Sequence, residues 1–266
     1  MQLENKTYIM GILNVTPDSF SDGGEFINPT AAIKQVKKML SDGADIIDIG
    51  GESTRPGAKN VSVEDELERV VPIVKAIREF SECLISVDTS KAIVMREAVA
   101  AGANIINDVR ALQEETCLDT VAELNVPVCL MHMQGQPRSM QTKPKYDDVV
   151  LEVKQFLNKR IQVCLDAGIK KENIMIDPGF GFGKTLEHNL TLFKALDEFV
   201  DMNYPVLVGV SRKSMIGQIL NDATIGDRIY ASAVMAALAA QHGVQILRVH
   251  DVKATADAIA VIDCLK

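Results

Sequence analysis

Positive charge is in short supply in this sequence. Twenty-eight lysines and arginines face 36 aspartates and glutamates, a formal charge of -8 with a pI near 5.1. That balance argues against nucleic acid or an anionic membrane as the main partner. Cysteine is scarce as well. The five, Cys83, Cys117, Cys129, Cys164 and Cys264, are an odd number with no CxxC pair, so a disulfide framework is not expected. Four of them fall in apolar or helical surroundings that suit small core residues. Long hydrophobic runs are missing too: the most continuous, Ala231 to Ala240, is too short to span a bilayer and has helical periodicity. The first ten residues, MQLENKTYIM, lack the apolar region of a secretory signal, so a cytoplasmic protein is expected. No HExxH, zinc-ligand spacing or GxSxG elbow occurs, which removes zinc hydrolases and serine esterases.

What is present is a repeating pattern. The chain has 266 residues, 47% of them hydrophobic, ample for a large core. Tyr8 to Val15 is an apolar run that must end before Pro17, which cannot donate to a sheet ladder. Asn28-Pro29 reads as a helix start, and apolar residues at helical spacing follow until Gly43. Further strands are expected at Ala44 to Gly50, Leu84 to Asp88, Asn104 to Asp108, Pro127 to His132, Ile174 to Asp177, Pro205 to Val210 and Ile246 to His250. A helical segment follows each of them, the last three near Leu186 to Val200, Asp227 to His242 and Val252 to Leu265. Eight strand–helix alternations fill about 250 residues, the length of a (β/α)₈ barrel. No linker, charge block or low-complexity tract interrupts them. A doubly wound sheet would leave a second domain over, so the expected fold is one TIM barrel spanning 1-266.

In such a barrel, polar residues at the C-terminal strand ends face one pocket. Those collected are Asn14, Asp88, Asn107, His132, Asp177, Ser211, Arg212, Lys213, Arg248 and His250. Singly, a strand-terminal Asp or Asn is often a cap or turn residue. That reading suits Asp108 and Asp48, and His132 or His250 could be satisfied core histidines. A coincidence at nearly every strand is harder to dismiss. Arg248 and His250, two apart on a strand, project to one side and suit an anionic group. The amide oxygen of Asn14 is a hard donor of the kind Mg²⁺ prefers.

Gly179 to Thr185 looks like a phosphate-binding P-loop but fails the count. Three residues rather than four separate its first glycine from Gly183-Lys184-Thr185. It reads instead as an aromatic-bearing loop whose phenylalanines could cover a flat ring. Asp88, Asn107, Asp177 and Lys213 supply two carboxylates, an amide and an ammonium. A carboxylate takes two parallel N–H bonds from a guanidine-like edge, such as that of a 2-amino-4-oxo-pterin. The chemistry therefore points to an enzyme holding a flat nitrogen heterocycle and an anionic leaving group.

Longer motifs sharpen this. Asn14-Val-Thr-Pro-Asp-Ser-Phe-Ser-Asp-Gly-Gly24, Gly50-Gly-Glu-Ser-Thr-Arg-Pro-Gly57, Ser86 to Thr89, Ile106 to Asp108, Asp177 to Lys184, Ser211-Arg-Lys213 and Arg248-Val-His-Asp251 resemble, in order, those of the dihydropteroate synthases. The resemblance runs from about residue 8 to the C-terminus. It implies condensation of 4-aminobenzoate with (7,8-dihydropterin-6-yl)methyl diphosphate, a folate-synthesis step and the target of sulfonamides. It implies that Asp88, Asn107, Asp177 and Lys213 hold the pterin, with Asp177, Lys213 and Asn14 catalytic. Asn14 would be the Mg²⁺ ligand. Arg248, His250 and Arg55 would bind diphosphate, and Thr54, Arg55, Ser211 and Phe182 would line the 4-aminobenzoate side. Family members are commonly homodimers, and the apolar Ala231 to Ala240 helix is a possible interface, although ordinary barrel packing would explain it too. The rival readings are a methyltetrahydrofolate–corrinoid methyltransferase, which has no use for a diphosphate clamp, and a non-catalytic paralogue, which should have lost part of the set.

Overall fold

The computed structural model describes residues 6–16, 29–53, 60–136 and 139–265. Eight parallel strands form its centre: β1 (Tyr8–Asn14), β2 (Ile46–Gly50), β3 (Leu84–Asp88), β4 (Ile105–Asp108), β5 (Val128–Met131), β6 (Ile174–Asp177), β7 (Leu207–Val208) and β8 (Ile246–Val249). They pair in the order β6-β5-β4-β3-β2-β1-β8-β7. A parallel bridge between Ile176 and Val206 closes the ring, with the Ile176 N–H on the Pro205 carbonyl at 2.9 Å. The expected barrel is therefore the observed one.

Helices cover the outside: α1 (Pro29–Ser41), α2 (Val63–Arg78), α3 (Ala92–Ala100), α4 (Cys117–Leu124), α5 (Val149–Asp166), α6 (Leu186–Lys194), α7 (Leu196–Val200), α8 (Ser214–Ile219), α9 (Ile229–Gln241) and α10 (Val252–Cys264). Local chemistry sets their ends. Pro29 opens α1, where its missing N–H is no loss. Ser62 caps α2 by accepting from the Asp65 N–H at 3.0 Å, and Asp148 caps α5 through the N–H groups of Val150 and Leu151. Thr185 and His188 form a reciprocal capping box at the start of α6.

Three departures from the sequence reading have local causes. The run expected as one helix from Leu186 to Val200 is two, because Ala195 leaves helical geometry at φ -102, ψ 21. Strand β7 is only Leu207–Val208; at its start Pro205 has no N–H for a ladder and Val206 gives its N–H to the Gln245 side chain at 2.9 Å. Helix α8, a single short turn system after Lys213, was not expected, and it is too short for a periodic signal.

Strand alternation divides the core. Outward residues such as Ile47, Ile49, Val87 and Ile106 pack under Val36, Val70, Val74 and Met95 of the helices. Inward residues Tyr8, Met10, Ile46, Ile105, Cys129, Met175, Leu207 and Ile246 plug the barrel with apolar side chains. Further along, the inward positions of β2, β3, β4 and β6 turn polar, while Ile12 of β1 and Met131 of β5 stay apolar. The polar ones are Asp48, Ser86, Asp88, Asn107 and Asp177, all buried. This polar storey, resting on an apolar floor at the C-terminal mouth, is what the fold positions. All five cysteines are free, three of them buried.

Candidate active site

Register brings the mouth residues side by side. Asn14 ends β1 opposite Gly50, Gly50 lies opposite Asp88, and Asp88 lies opposite Asn107. Gly50 leaves a gap that two side chains use: a Cβ there would stand 3.9 Å from both Asn14 Oδ1 and Asp88 Oδ2. On the far side, a Cβ at Gly209 would meet the Arg248 stem and Lys213 Nζ at 3.7–3.9 Å. Glycines at these two strand ends keep the mouth open to larger groups.

Arg248 lies inside the mouth and is held by two acids. Its Nε donates to Asp48 Oδ2 at 2.6 Å and its Nη2 to Asp88 Oδ2 at 2.8 Å. The Asn107 Nδ2 donates to the same Asp48 oxygen at 3.3 Å. An ionised carboxylate accepts only, so Asp48 fixes which way the Asn107 amide faces. Its amino end points at Asp48, leaving the carbonyl end for a ligand. Asp48 is fully buried, and among the described residues its second oxygen and the hydroxyl of its cross-strand neighbour Ser86 have no hydrogen-bond partner. Sequence alone gives Asp48 the reading of a cap or turn residue. The structure corrects this, because Asp48 shares inward parity with Ile46 and Gly50. Asp108, in contrast, is the turn residue it was expected to be, accepting from the N–H groups of Arg110 and Leu112 at 2.8 Å.

Asp177 ends β6, where its Oδ1 accepts from the Gly179 N–H at 2.7 Å. Lys213 projects from the start of α8, donates to the Phe180 carbonyl at 2.5 Å and lies 4.7 Å from the centre of the Phe182 ring. Ser211 and His250 meet at the neighbouring ends of β7 and β8, the His250 N–H and Nδ1 both 3.1 Å from the Ser211 hydroxyl. Beside them Arg212, in the left-handed region at φ 59, forms a two-point pair with Asp251. Asp88, Asn107, Asp177, Lys213 and Arg248 thus share one mouth, with Ser211 and His250 joined to each other at the ends of β7 and β8. Thr54 and Arg55 lie outside the described residues.

Burial and charge set the ionisation. Burial pulls the Lys213 ammonium down to about 8, against the attraction of Asp177. It pushes Asp177 above the usual carboxylate range, with Lys213 opposing. Asp88 is likewise raised by burial, with Arg248 opposing and Asp48 adding to the rise. Burial works against the charge of Arg248, but Asp48 and Asp88 overcome it and hold the guanidinium firmly protonated. Three carboxyls and two cations in a nearly dry mouth can stabilise a flat, electron-poor ring.

Two further clusters were not foreseen. Lys91 pairs with both Glu52, just after β2, and Glu66 of α2. Lys184, dismissed above as a P-loop lysine, is 3% exposed and turned into the protein against His132. Neither carries a sequence signal, since charged residues are ordinarily exposed.

The fold and the mouth define a barrel enzyme built to bind a pterin-like ring. A family model described as pterin binding enzyme matches residues 10–250. Among curated proteins, the dihydropteroate synthase of Haemophilus influenzae is 58% identical over 253 residues, covering 95% of this chain and 92% of its own. That of Escherichia coli strain K12 is 55% identical over 256 residues, covering 96% and 90%. A crystal structure of the Yersinia pestis dihydropteroate synthase with a sulfonamide drug complex superposes with a TM-score of 0.95 at 50% identity, covering 100% of this chain and 96% of that one. The Xanthomonas albilineans dihydropteroate synthase in complex with 7,8-dihydropteroate gives 0.89 at 46%, covering 98% and 94%. The chain belongs to the pterin binding enzyme family, in its dihydropteroate synthase branch.

Proposed function

We infer that this chain joins (7,8-dihydropterin-6-yl)methyl diphosphate to 4-aminobenzoate, giving 7,8-dihydropteroate and diphosphate, with residues 1-266 acting as one pterin-binding domain. The observation that carries this is the polar storey of Asp88, Asn107, Asp177 and Lys213 at the barrel mouth, in a chain that aligns nearly end to end with dihydropteroate synthases. One relative adds weight: the Xanthomonas albilineans dihydropteroate synthase is described with 4-aminobenzoic acid in one structure and with 7,8-dihydropteroate in another.

In this reading the pterin enters the mouth edge-on. Asp177 accepts from its 2-amino edge, the Asn107 carbonyl takes a ring N–H, and Lys213 donates to an acceptor on the ring. Asp88 holds Arg248 with one oxygen and offers the other to the pterin. The guanidinium has five N–H donors and spends two on Asp48 and Asp88, leaving others for a phosphate oxygen. His250 and Arg55 complete the diphosphate side, and Thr54, Arg55, Ser211 and Phe182 the 4-aminobenzoate side. Diphosphate departs first, the cationic ring is stabilised by Asp177, and the aniline nitrogen attacks the exocyclic carbon. No nucleophile from the protein is required.

Asn14 is the one residue proposed for Mg²⁺. Its half-buried amide oxygen at the mouth is a hard donor, and Mg²⁺ habitually combines one protein oxygen with waters and substrate phosphates. Among the described residues no cluster of three His, Cys, Asp or Glu could form a dedicated metal cage, which fits an ion carried by the diphosphate. When bound, the ion would withdraw charge from the leaving diphosphate.

A homodimer is proposed from α9. Tyr230, Val234 and Leu238, at helical spacing, are 84%, 57% and 43% exposed, and Val261 of the adjoining α10 and Leu265 just after it are exposed as well. An apolar stripe of that length on a helix favours a self-complementary partner. The free cysteines support the reducing, cytoplasmic setting read from the sequence.

The test is diphosphate release by purified protein given the pterin diphosphate and Mg²⁺. Release that depends on 4-aminobenzoate, with dihydropteroate formed, supports the reading. Tight pterin binding without release would favour the methyl-transfer or binding-only alternative.

A further inference from the structure

Within the run Gly179 to Lys184 the proposed chemistry uses Phe182 and leaves Lys184 without a function, and it leaves His132 without one as well. The structure joins them. Lys184 Nζ lies 2.9 Å from His132 Nδ1, 2.9 Å from the Gly179 carbonyl and 3.1 Å from the Phe182 carbonyl. The His132 carbonyl is more distant at 3.5 Å. Three near acceptors match the three N–H bonds of an ammonium. His132 is 6% exposed, and its ring is wedged edge-on against Phe156 of α5 at 4.9 Å. Burial and the neighbouring Lys184 hold its pKa down to about 2, so the ring is neutral and free to accept.

The residues that Lys184 grips also touch the proposed pterin pocket. Gly179 gives its carbonyl to Lys184 and its N–H to Asp177. Phe182 gives its carbonyl to Lys184 while its ring lies under Lys213. Between them, the Phe180 carbonyl receives Lys213. The loop has no regular ladder of its own. Gly179, Gly181 and Gly183 have φ of 70, 80 and 64, and Cβ atoms at Gly179 and Gly183 would stand 1.8 and 2.5 Å from the carbonyl oxygens of His132 and Gln134. It is a tight path laid across the end of β5, open at these positions to glycine alone, and an interior cation can pin it.

We propose that Lys184 is a positioning residue of the pterin pocket, its ammonium holding the β6–α6 loop on His132 in the shape that aims Asp177 and Lys213. The inference rests on the assignment of Asp177 and Lys213 to the pterin. A Walker lysine reaches outward to phosphate; this one reaches inward, to the carbonyls of its own loop.

The experiment is Lys184→Ala, with pterin diphosphate affinity measured by calorimetry below the Lys184 pKa of about 7. Misaiming Asp177 and Lys213 forfeits a hydrogen bond between a charged group and the ring, so an affinity loss of about ten- to a hundredfold is expected. Added methylammonium, which can occupy the vacated ammonium position, should restore affinity. In ¹⁵N NMR, the His132 Nδ1 resonance should move in the variant and return with methylammonium. Lys213→Ala runs in parallel. If that variant keeps wild-type affinity, the pocket assignment itself fails. If it loses affinity while Lys184→Ala does not, the pocket stands and the positioning role is overturned. An unmoved His132 resonance overturns it as well. Should Lys184→Ala not fold alone, folding with methylammonium decides the matter: recovery of pterin binding supports the role, and no recovery contradicts it.

Discussion

A carboxylate with no exposure at all, Asp48, holds two of the groups proposed to read the substrate. It accepts from Arg248 and Asn107 through one oxygen. Asp48→Asn keeps the volume and removes the charge, leaving Arg248 with Asp88 alone and the Asn107 amide free to turn. Loss of one partner of a buried charged hydrogen bond costs about 1–3 kcal/mol. The expected outcome is a lower urea midpoint with an unchanged slope, and weakened pterin binding. Lys213→Ala should abolish turnover while the far-ultraviolet circular dichroism stays native. The ammonium also sets a pH limit. Lys213 is charged below about 8 and neutral above it, so kcat/KM for the pterin substrate should fall as pH rises through that value. A profile flat to pH 10 would remove the ammonium from the site. Strand-end residues such as Asn107 and Asp177 were legible because strand ends are visible in apolar runs. Asp48 was not: it sits mid-strand, where a lone Asp carries no mark of the arginine that arrives from 200 residues away.

At the scale of elements, the loops after β6, β7 and β8 are fastened to one another. Arg212 pairs with Asp251, its N–H bonds to Ser232 at 3.0 Å, and Ser211 meets His250. Arg212 is held in a left-handed conformation that L-residues adopt at some cost. Asp251→Ala should release it, lowering kcat/KM through the neighbouring Lys213 with little change in melting temperature. A drop in melting temperature with full activity would make the pair a fold contact only. Gly179→Ala is the harsher test. The positive φ alone costs on the order of 1–3 kcal/mol, before the clash with the His132 carbonyl, so poor folding is expected. Most strands could be placed from sequence because period and length separate them from helices. The short β7, the break at Ala195 and the single-turn α8 could not, since each turns on one or two residues of tertiary context.

Across the whole molecule, alternation along eight strands yields an apolar plug, a polar storey above it and a sheath of helices. The plug keeps the polar storey at one depth, and barrel closure at Ile176 and Val206 brings β6, which carries Asp177, next to β7 and the Lys213 loop beyond it. On the outside, the α9 stripe is an apolar surface feature that barrel packing leaves uncovered. Val234→Asp should shift the sedimenting species from dimer to monomer; a wild-type monomer would dispose of the dimer proposal. The central claim is that this mouth condenses two small molecules with loss of diphosphate. Measuring diphosphate release with pterin diphosphate and Mg²⁺, with and without 4-aminobenzoate, tests it most directly. Release that requires 4-aminobenzoate and is matched by dihydropteroate is the expected result. Tight pterin binding with no release under either condition would contradict it.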